Sequence, residues 1–304
     1  MRCRTCGGPA AINMRHHKLA LCATHFPPWL VKQTERAIHN YRMFEPQDRI
    51  LVAVSGGKDS LALWDILLKL GYQADGIYVD LGIDGGFGYS DLSKGKAVAF
   101  QQAHSPASLH IVDIAGTYGE SVTDAAKRRG RSREPCSVCG VVKRHEMNRV
   151  ALAHDYNVLA TGHNLDDEAA TLFGNVLHWQ TSYLVKQGPV LSATVGKLAR
   201  KVKPFCRIYE RETAAYALLT ELDYIYDECP YSKGAKSLRH KATLNRMEHD
   251  APGTKLQFYA KFLQAKEKGF LPNDSEPATD MTTCERCGQP TMADGFCRFC
   301  RLWT

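Results

Sequence analysis

The sequence contains no apolar run long enough to cross a membrane, and it shows no internal repeat. Its first residues include Arg2 and Cys3 and do not form the basic and then apolar pattern of a secretory signal. These absences argue against a membrane-spanning, repetitive or secreted protein, and we expect a cytoplasmic one. With 304 residues, 44% of them hydrophobic and 23% charged, the chain can form one large globular domain with small attachments.

Cysteine, in contrast, is plentiful and ordered in its spacing. Eight of the 11 cysteines form Cys-x-x-Cys pairs, whereas Cys22, Cys206 and Cys229 stand alone. The pairs are Cys3/Cys6, Cys136/Cys139, Cys284/Cys287 and Cys297/Cys300. In a reducing cytosol this spacing favours metal ligation over disulfides. We interpret Cys206 as a buried or incidental thiol.

The clearest motif follows the apolar run 50–54. It consists of Ser55, Gly56, Gly57, Lys58, Asp59 and Ser60, and a helical pattern continues to Leu70. This order predicts a buried strand, a tight loop whose backbone N–H groups surround an anion, and a helix whose N-terminus faces the same anion. It is not a Walker A loop, because the spacing from glycine to lysine differs and Asp59 follows the lysine.

Alternating apolar runs and helical patterns predict an α/β fold with a doubly wound parallel sheet, in which ligands bind beyond the carboxyl ends of the strands. One such strand, 157–162, ends in Gly162 and His163 and continues into Asn164, Asp166 and Asp167. We expect Asp167 to serve Mg²⁺ on ATP and Asp166 to cap the following helix. Further helices are expected at 141–154, 210–222 and 255–266.

Both ends of the chain carry small sets of metal ligands. The N-terminal set is Cys3, Cys6, Cys22 and His25, and the C-terminal set is Cys284, Cys287, Cys297 and Cys300. Segments this short lack a core of their own, so two structural Zn²⁺ ions are expected to order them. The predicted division is a zinc-binding domain at 1–28, a catalytic domain at 29–271, and a polar linker with a zinc ribbon at 272–304.

Basic residues gather near the central cysteines, in runs at 127–133 and 232–241, and the net charge of the chain is +7. Solvation explains many surface charges, but the position of these runs beside Cys136, Cys139 and Cys229 favours contact with RNA phosphates.

In this order, the motifs resemble the TtuA-type tRNA 2-thiouridine synthetases of the PP-loop ATP pyrophosphatase superfamily, and the resemblance covers nearly the whole chain. It implies that Ser55 to Ser60 hold ATP, which adenylates the C2 oxygen of a tRNA uridine. It also implies a 4Fe–4S cluster on Cys136, Cys139 and Cys229, with one iron open to a sulfide that attacks C2. Lys143 and Asp167 match catalytic side chains of the family.

The resemblance further implies a ubiquitin-like carrier with a thiocarboxylate as sulfur donor, and a homodimer. It favours the tRNA T-loop over the wobble position. Spacing alone leaves two other uses for the three cysteines open: a zinc site, or a persulfide on Cys139 that Cys229 resolves. Alternative functions are 2-thiocytidine synthesis, RNA binding without catalysis, and an amidating ATP pyrophosphatase. The last leaves the cysteine sets without a purpose.

Overall fold

The computed structural model describes residues 1–128, 135–191, 198–232, 236–271 and 282–304. Its centre is a six-stranded sheet in the order β5-β4-β3-β6-β8-β7. The strands of this sheet are β3 (Ile50–Val54), β4 (Ala74–Asp80), β5 (Leu109–Asp113), β6 (Val158–Thr161), β7 (Val190–Leu191) and β8 (Arg200–Val202). All neighbours are parallel except β7 and β8. The predicted parallel α/β fold is confirmed, with an antiparallel edge strand added.

Helices cover both faces of this sheet. They are α1 (Phe26–Asn40), α2 (Lys58–Lys69), α3 (Tyr89–Ala103), α4 (Ile114–Tyr118), α5 (Val122–Arg128), α6 (Pro135–Ala153), α7 (Leu165–Leu177), α8 (Thr181–Lys186), α9 (Glu210–Leu219), α10 (Lys236–Asp250) and α11 (Thr254–Glu267). None of the described helices is long and apolar enough to cross a membrane. Strand β3 lies between β4 and β6, and its five side chains are nearly all buried, which explains its uninterrupted apolar sequence.

Two helices differ from the prediction. Helix α6 begins at Pro135, where we expected a start near Val141, so the Cys136/Cys139 pair lies in its first turn. Proline suits this position because the first turn of a helix needs no N–H donor from it. Helix α10 was missed altogether, since its sequence is strongly polar and only Leu244 is buried among its side chains. The basic segment 129–133 and the linker at 272–277 lie outside the described residues.

The terminal modules pack onto the catalytic core. The N-terminal hairpin consists of β1 (Ile12–Met14) and β2 (Leu19–Leu21), and Met14 and Leu21 join the main apolar cluster. The C-terminal ribbon contains β9 (Thr282–Thr283) and β10 (Pro290–Thr291), and its Phe299 and Leu302 join a second cluster beneath α6. The apolar side chains of each terminal module therefore pack into the core of the α/β body.

Candidate active site

The loop between β3 and α2 is shaped by glycine and by the two serines. Gly56 has a φ of 73°, and a Cβ at this residue would lie 2.2 Å from the backbone oxygen of Ser93, so no larger residue fits. The Ser60 hydroxyl accepts from the Ser55 amide at 3.1 Å and donates to the Gly57 carbonyl at 3.0 Å. Helix α2 begins after Gly57 without a side-chain cap, which leaves its first amides available to an anion.

A cavity of about 500 Å³ opens at the carboxyl ends of β3, β4 and β6. Its walls include Ile77, Val79 and Leu81 on the apolar side. Ten of the residues singled out from the sequence line it: Ser55, Asp59, Ser60, Gly162, His163, Asp167, Cys136, Cys139, Cys229 and Lys143. The loop between β3 and α2, the N-terminus of α7 and the three thiols therefore all face the same cavity.

Lys58 lies beside this cavity in an ion-pair network. Its Nζ is 2.9 Å from Asp59 and 3.0 Å from Glu210. Burial opposes the charged form of Lys58, but the charges of Asp59 and Glu210 outweigh it and raise the pKa. Burial likewise works against the charged form of Glu210, yet Lys241 and Lys58 lower its pKa. Lys58 and Glu210 are therefore both charged at neutral pH, and two carboxylates contact the Lys58 ammonium group.

Lys241 of α10 is the main side chain that the sequence interpretation did not single out. Its Nζ lies 2.6 Å from Asp167 and 3.0 Å from Glu210. These carboxylates raise its pKa against the effect of burial. Because α10 is strongly polar and buries only Leu244 among its side chains, no clear periodic signal marked which of its lysines points inward.

The structure changes the capping assignment of the two neighbouring aspartates. Asp167 forms the capping box: its amide donates to Asn164 at 3.2 Å, and its carboxylate accepts from the Asn164 amide at 3.1 Å. Asp166 is buried, pairs with Lys255 at 2.5 Å and accepts from the Glu210 amide. The capping assignment to Asp166 is therefore wrong, because its side chain points away from the helix start and into the core. Asp167 caps the helix and still reaches the cavity.

The three central cysteines come from two segments. Cys136 and Cys139 lie one turn apart on α6, and Cys229 comes from the loop before α10. Burial chiefly raises the pKa of Cys139 to about 11, with Lys143 acting against it and the charges of Cys136 and Cys229 adding to it. Three thiols that line one cavity can serve, once deprotonated, as ligands of a thiophilic cation or cluster.

The terminal sets fit tetrahedral metal sites. Within each of Cys3/Cys6/Cys22/His25 and Cys284/Cys287/Cys297/Cys300, the ligand atoms lie within 4.8 Å of one another. The Sγ atoms of Cys6 and Cys22 are 3.8 Å apart, and those of Cys287 and Cys297 are 3.7 Å apart. A tetrahedron of thiolates at the usual Zn–S distance has edges of about 3.8 Å. The spacing is thus already that of a closed structural zinc site.

A third group, His16, His17 and Glu212, was not foreseen. His16 Nε2 lies 2.9 Å from Glu212, whose other oxygen accepts from the Tyr209 amide. The two carboxylate oxygens thus already have partners, and the contact ties the N-terminal hairpin to the start of α9.

A PP-loop at the end of a parallel strand, next to three thiols in one cavity, defines an ATP-utilising α/β enzyme of the PP-loop class. Comparisons with known proteins narrow this class. Residues 2–27 match the family described as 2-thiouridine synthetase TtuA, N-terminal LIM domain. The tRNA-5-methyluridine(54) 2-sulfurtransferase of Thermus thermophilus is 48% identical over 100% of this chain and 91% of its own length. The enzyme of the same name from Pyrococcus horikoshii is 42% identical over 100% of this chain and 94% of its own length.

Among solved structures, the chain is similar to the U34-tRNA thiolase NcsA from Methanococcus maripaludis with its 4Fe–4S cluster. The TM-score is 0.77 and the identity 25%, with 95% of each chain covered. The chain therefore belongs to the family of tRNA-5-methyluridine(54) 2-sulfurtransferases, enzymes that thiolate tRNA. The resemblance read from the motifs is confirmed.

Proposed function

We propose that the protein replaces the C2 oxygen of 5-methyluridine 54 in the T-loop of tRNA by sulfur, at the expense of ATP. The observation that carries the proposal is the single cavity shared by the PP-loop, Asp167, Lys143 and the three central thiols. An adenylation site and a sulfur-delivering site must meet at one carbonyl carbon, and this cavity allows them to do so.

ATP activates the uridine in the first step. The C2 oxygen attacks the α-phosphorus, and pyrophosphate leaves. The free amides of α2, the hydroxyls of Ser55 and Ser60, and Lys58 hold the phosphates. To bind the phosphates, Lys58 leaves Asp59 and Glu210 and contacts phosphate oxygens instead. The Asp167 carboxylate would hold Mg²⁺ after releasing its contact with Lys241, and the ion would neutralise charge on the phosphates.

Sulfur then attacks C2, and the original oxygen departs with AMP. We assign Cys136, Cys139 and Cys229 as the residues that would hold a 4Fe–4S cluster, which would supply a thiophilic site for the incoming sulfur. Lys143 lies one turn after Cys139 on α6 and lines the same cavity. Its ammonium group stabilises negative charge on the displaced oxygen.

We further propose that the two terminal sets hold structural Zn²⁺ and that a ubiquitin-like carrier with a C-terminal thiocarboxylate delivers sulfur. In this proposal the enzyme acts as a homodimer in the cytoplasm. The domain division at residues 28 and 271 places the zinc modules outside the catalytic part. A relative from Candida glabrata, 31% identical over 99% of this chain, is named cytoplasmic tRNA 2-thiolation protein 1.

The test uses anaerobically purified enzyme with T-loop-methylated tRNA, ATP and sulfide. We expect 2-thio-5-methyluridine in digested tRNA by mass spectrometry, together with tRNA-dependent release of AMP and pyrophosphate. The Cys229→Ser variant should retain pyrophosphate release and lose thiolation, and iron and acid-labile sulfide should fall with it. Thiolation of the wobble uridine alone, or thiolation at full rate by a protein free of iron, would contradict the proposal.

A further inference from the structure

Three cations from separate parts of the fold meet near the C-terminal ribbon. They are Arg144 on α6, Lys201 on β8 and Arg298 between the ribbon ligands Cys297 and Cys300. We call these three residues the basic trio. Within the described ranges, no carboxylate forms an ion pair with any of them, although Arg149 and Arg128 nearby pair with Glu146 at 2.7 Å and Glu120 at 2.6 Å.

Backbone pairing and ring stacking place the three residues on the side of the sheet where α6 and the ribbon pack. Lys201 lies opposite Leu159 in the parallel register, so both side chains point to the face of the sheet on which α6 packs. The ring of Phe299, next to Arg298, stacks on His145, next to Arg144, with centroids 3.6 Å apart and an angle of 3° between the planes. Gln289 of the ribbon also donates to the His145 carbonyl at 3.1 Å.

The charges of the trio act on one another. Burial and then the charge of Arg298 lower the pKa of Arg144, and burial and then the charge of Arg144 lower the pKa of Lys201. Like charges held together without counter-charges oppose folding, so a fold that retains them indicates an anionic ligand. Tyr183, which is 64% exposed, lies in the neighbourhood of Arg144.

The trio adjoins the cysteine end of the cavity. A Cβ at Gly140 would lie 3.2 Å from Nη1 of Arg144, and Gly140 lines the cavity together with Cys136 and Cys139. Arg144 also follows Lys143 directly. A phosphate bound by Arg144 would therefore belong to a nucleotide next to the one inside the cavity.

We propose that the basic trio binds the tRNA backbone phosphates that flank the target nucleotide, with Tyr183 placed to stack on an unpaired base. The inference deepens the proposed function, because it rests on tRNA as the substrate. Guanidinium groups match phosphate geometry, and aromatic faces hold bases that have left the stack. The ribbon then contributes directly to substrate binding through Arg298.

The test measures tRNA affinity of the full-length holoenzyme by fluorescence anisotropy over a range of salt concentrations. Arg144→Gln, Lys201→Met and Arg298→Gln should each weaken binding about fivefold at physiological salt and lower the slope of log K against log salt by about 0.7 to 0.9. The triple variant should lose on the order of 100-fold. Arg144→Lys should keep most of the affinity, because it keeps the charge.

Lys261→Met, on the exposed surface of α11, is the matched control and should bind tRNA like the wild type. ATP binding of the triple variant should be unchanged, and its unfolding temperature should not fall, because the substitutions remove like-charge repulsion. Wild-type tRNA affinity and salt slope in the triple variant would overturn the inference. So would a defect confined to sulfur delivery by a carrier protein, since the trio would then serve protein docking. If the wild type binds tRNA without thiolating it, the proposed function fails, while a salt-sensitive loss in the variants still supports the trio.

Discussion

Lys241 is a single side chain that links the charged groups around the PP-loop. It contacts both Asp167 and Glu210, and Glu210 in turn contacts Lys58 of the PP-loop. Without Lys241, Glu210 would have Lys58 as its remaining cation, and Asp167 would lose its ion pair. The phosphates of ATP would then have to compete with a carboxylate for Lys58.

We therefore expect Lys241→Met to weaken ATP binding about tenfold, equivalent to the loss of one charge-assisted contact. Isothermal titration with ATP and Mg²⁺ measures this directly. Lys241→Arg should restore part of the affinity, and Lys268→Met at the exposed end of α11 should have no effect. If Lys241→Met binds ATP as tightly as the wild type does, the prediction is wrong, and the role of Lys241 is only to anchor α10.

Helix α6 carries a buried ionic centre that joins it to its surroundings. Glu146 is fully buried and accepts from Tyr118 at 2.8 Å, from Arg149 at 2.7 Å and from His145 at 2.9 Å. Burial favours its neutral form, but these three donors together lower its pKa below the ordinary value. The same helix presents Cys136, Cys139 and Lys143 to the cavity, so its position determines the geometry of the thiols.

Replacing this carboxylate should destabilise the protein. We expect Glu146→Gln to lower the free energy of unfolding by about 3 kcal/mol at neutral pH, because the donors lose a charged partner. Since the folded pKa is depressed, the stabilisation is present above the unfolded pKa and disappears as pH falls through the folded value. The gap between wild type and variant in urea unfolding should thus close below about pH 4. Glu267→Gln, at the exposed end of α11, should unfold like the wild type at every pH.

The two ends of the chain are attached to different parts of the α/β body. The N-terminal hairpin reaches α9 through the His16–Glu212 contact and through Arg211, which donates to the Asn13 carbonyl at 2.8 Å. The ribbon reaches α6 through Phe299 and Gln289. Metal loss at one end should therefore loosen a different helix from metal loss at the other.

Hydrogen exchange with mass spectrometry can check this separation. We expect Cys22→Ala to increase exchange in β1, β2 and α9, and Cys297→Ala to increase it in the ribbon and α6, because a closed metal site supplies the order that these short segments lack. Each variant serves as the control for the other. If both variants exchange hydrogen at the wild-type rate, the terminal modules fold without their metals.

The spacing of residues along the chain was sufficient to predict those parts of the protein that depend on local chemistry. The PP-loop between a buried strand and a helix, the parallel α/β class and the two terminal ligand sets depend on residues close in sequence, so their pattern could be read directly. Three-dimensional packing decided the rest. Asp166 pairs with the buried Lys255 and does not cap α7, which Asn164 and Asp167 cap instead. Lys241 and the basic trio came together through contacts between segments that lie far apart in the sequence. Such long-range pairs leave no periodic signal in a single sequence, because each partner looks like an ordinary solvated charge until the fold brings them together.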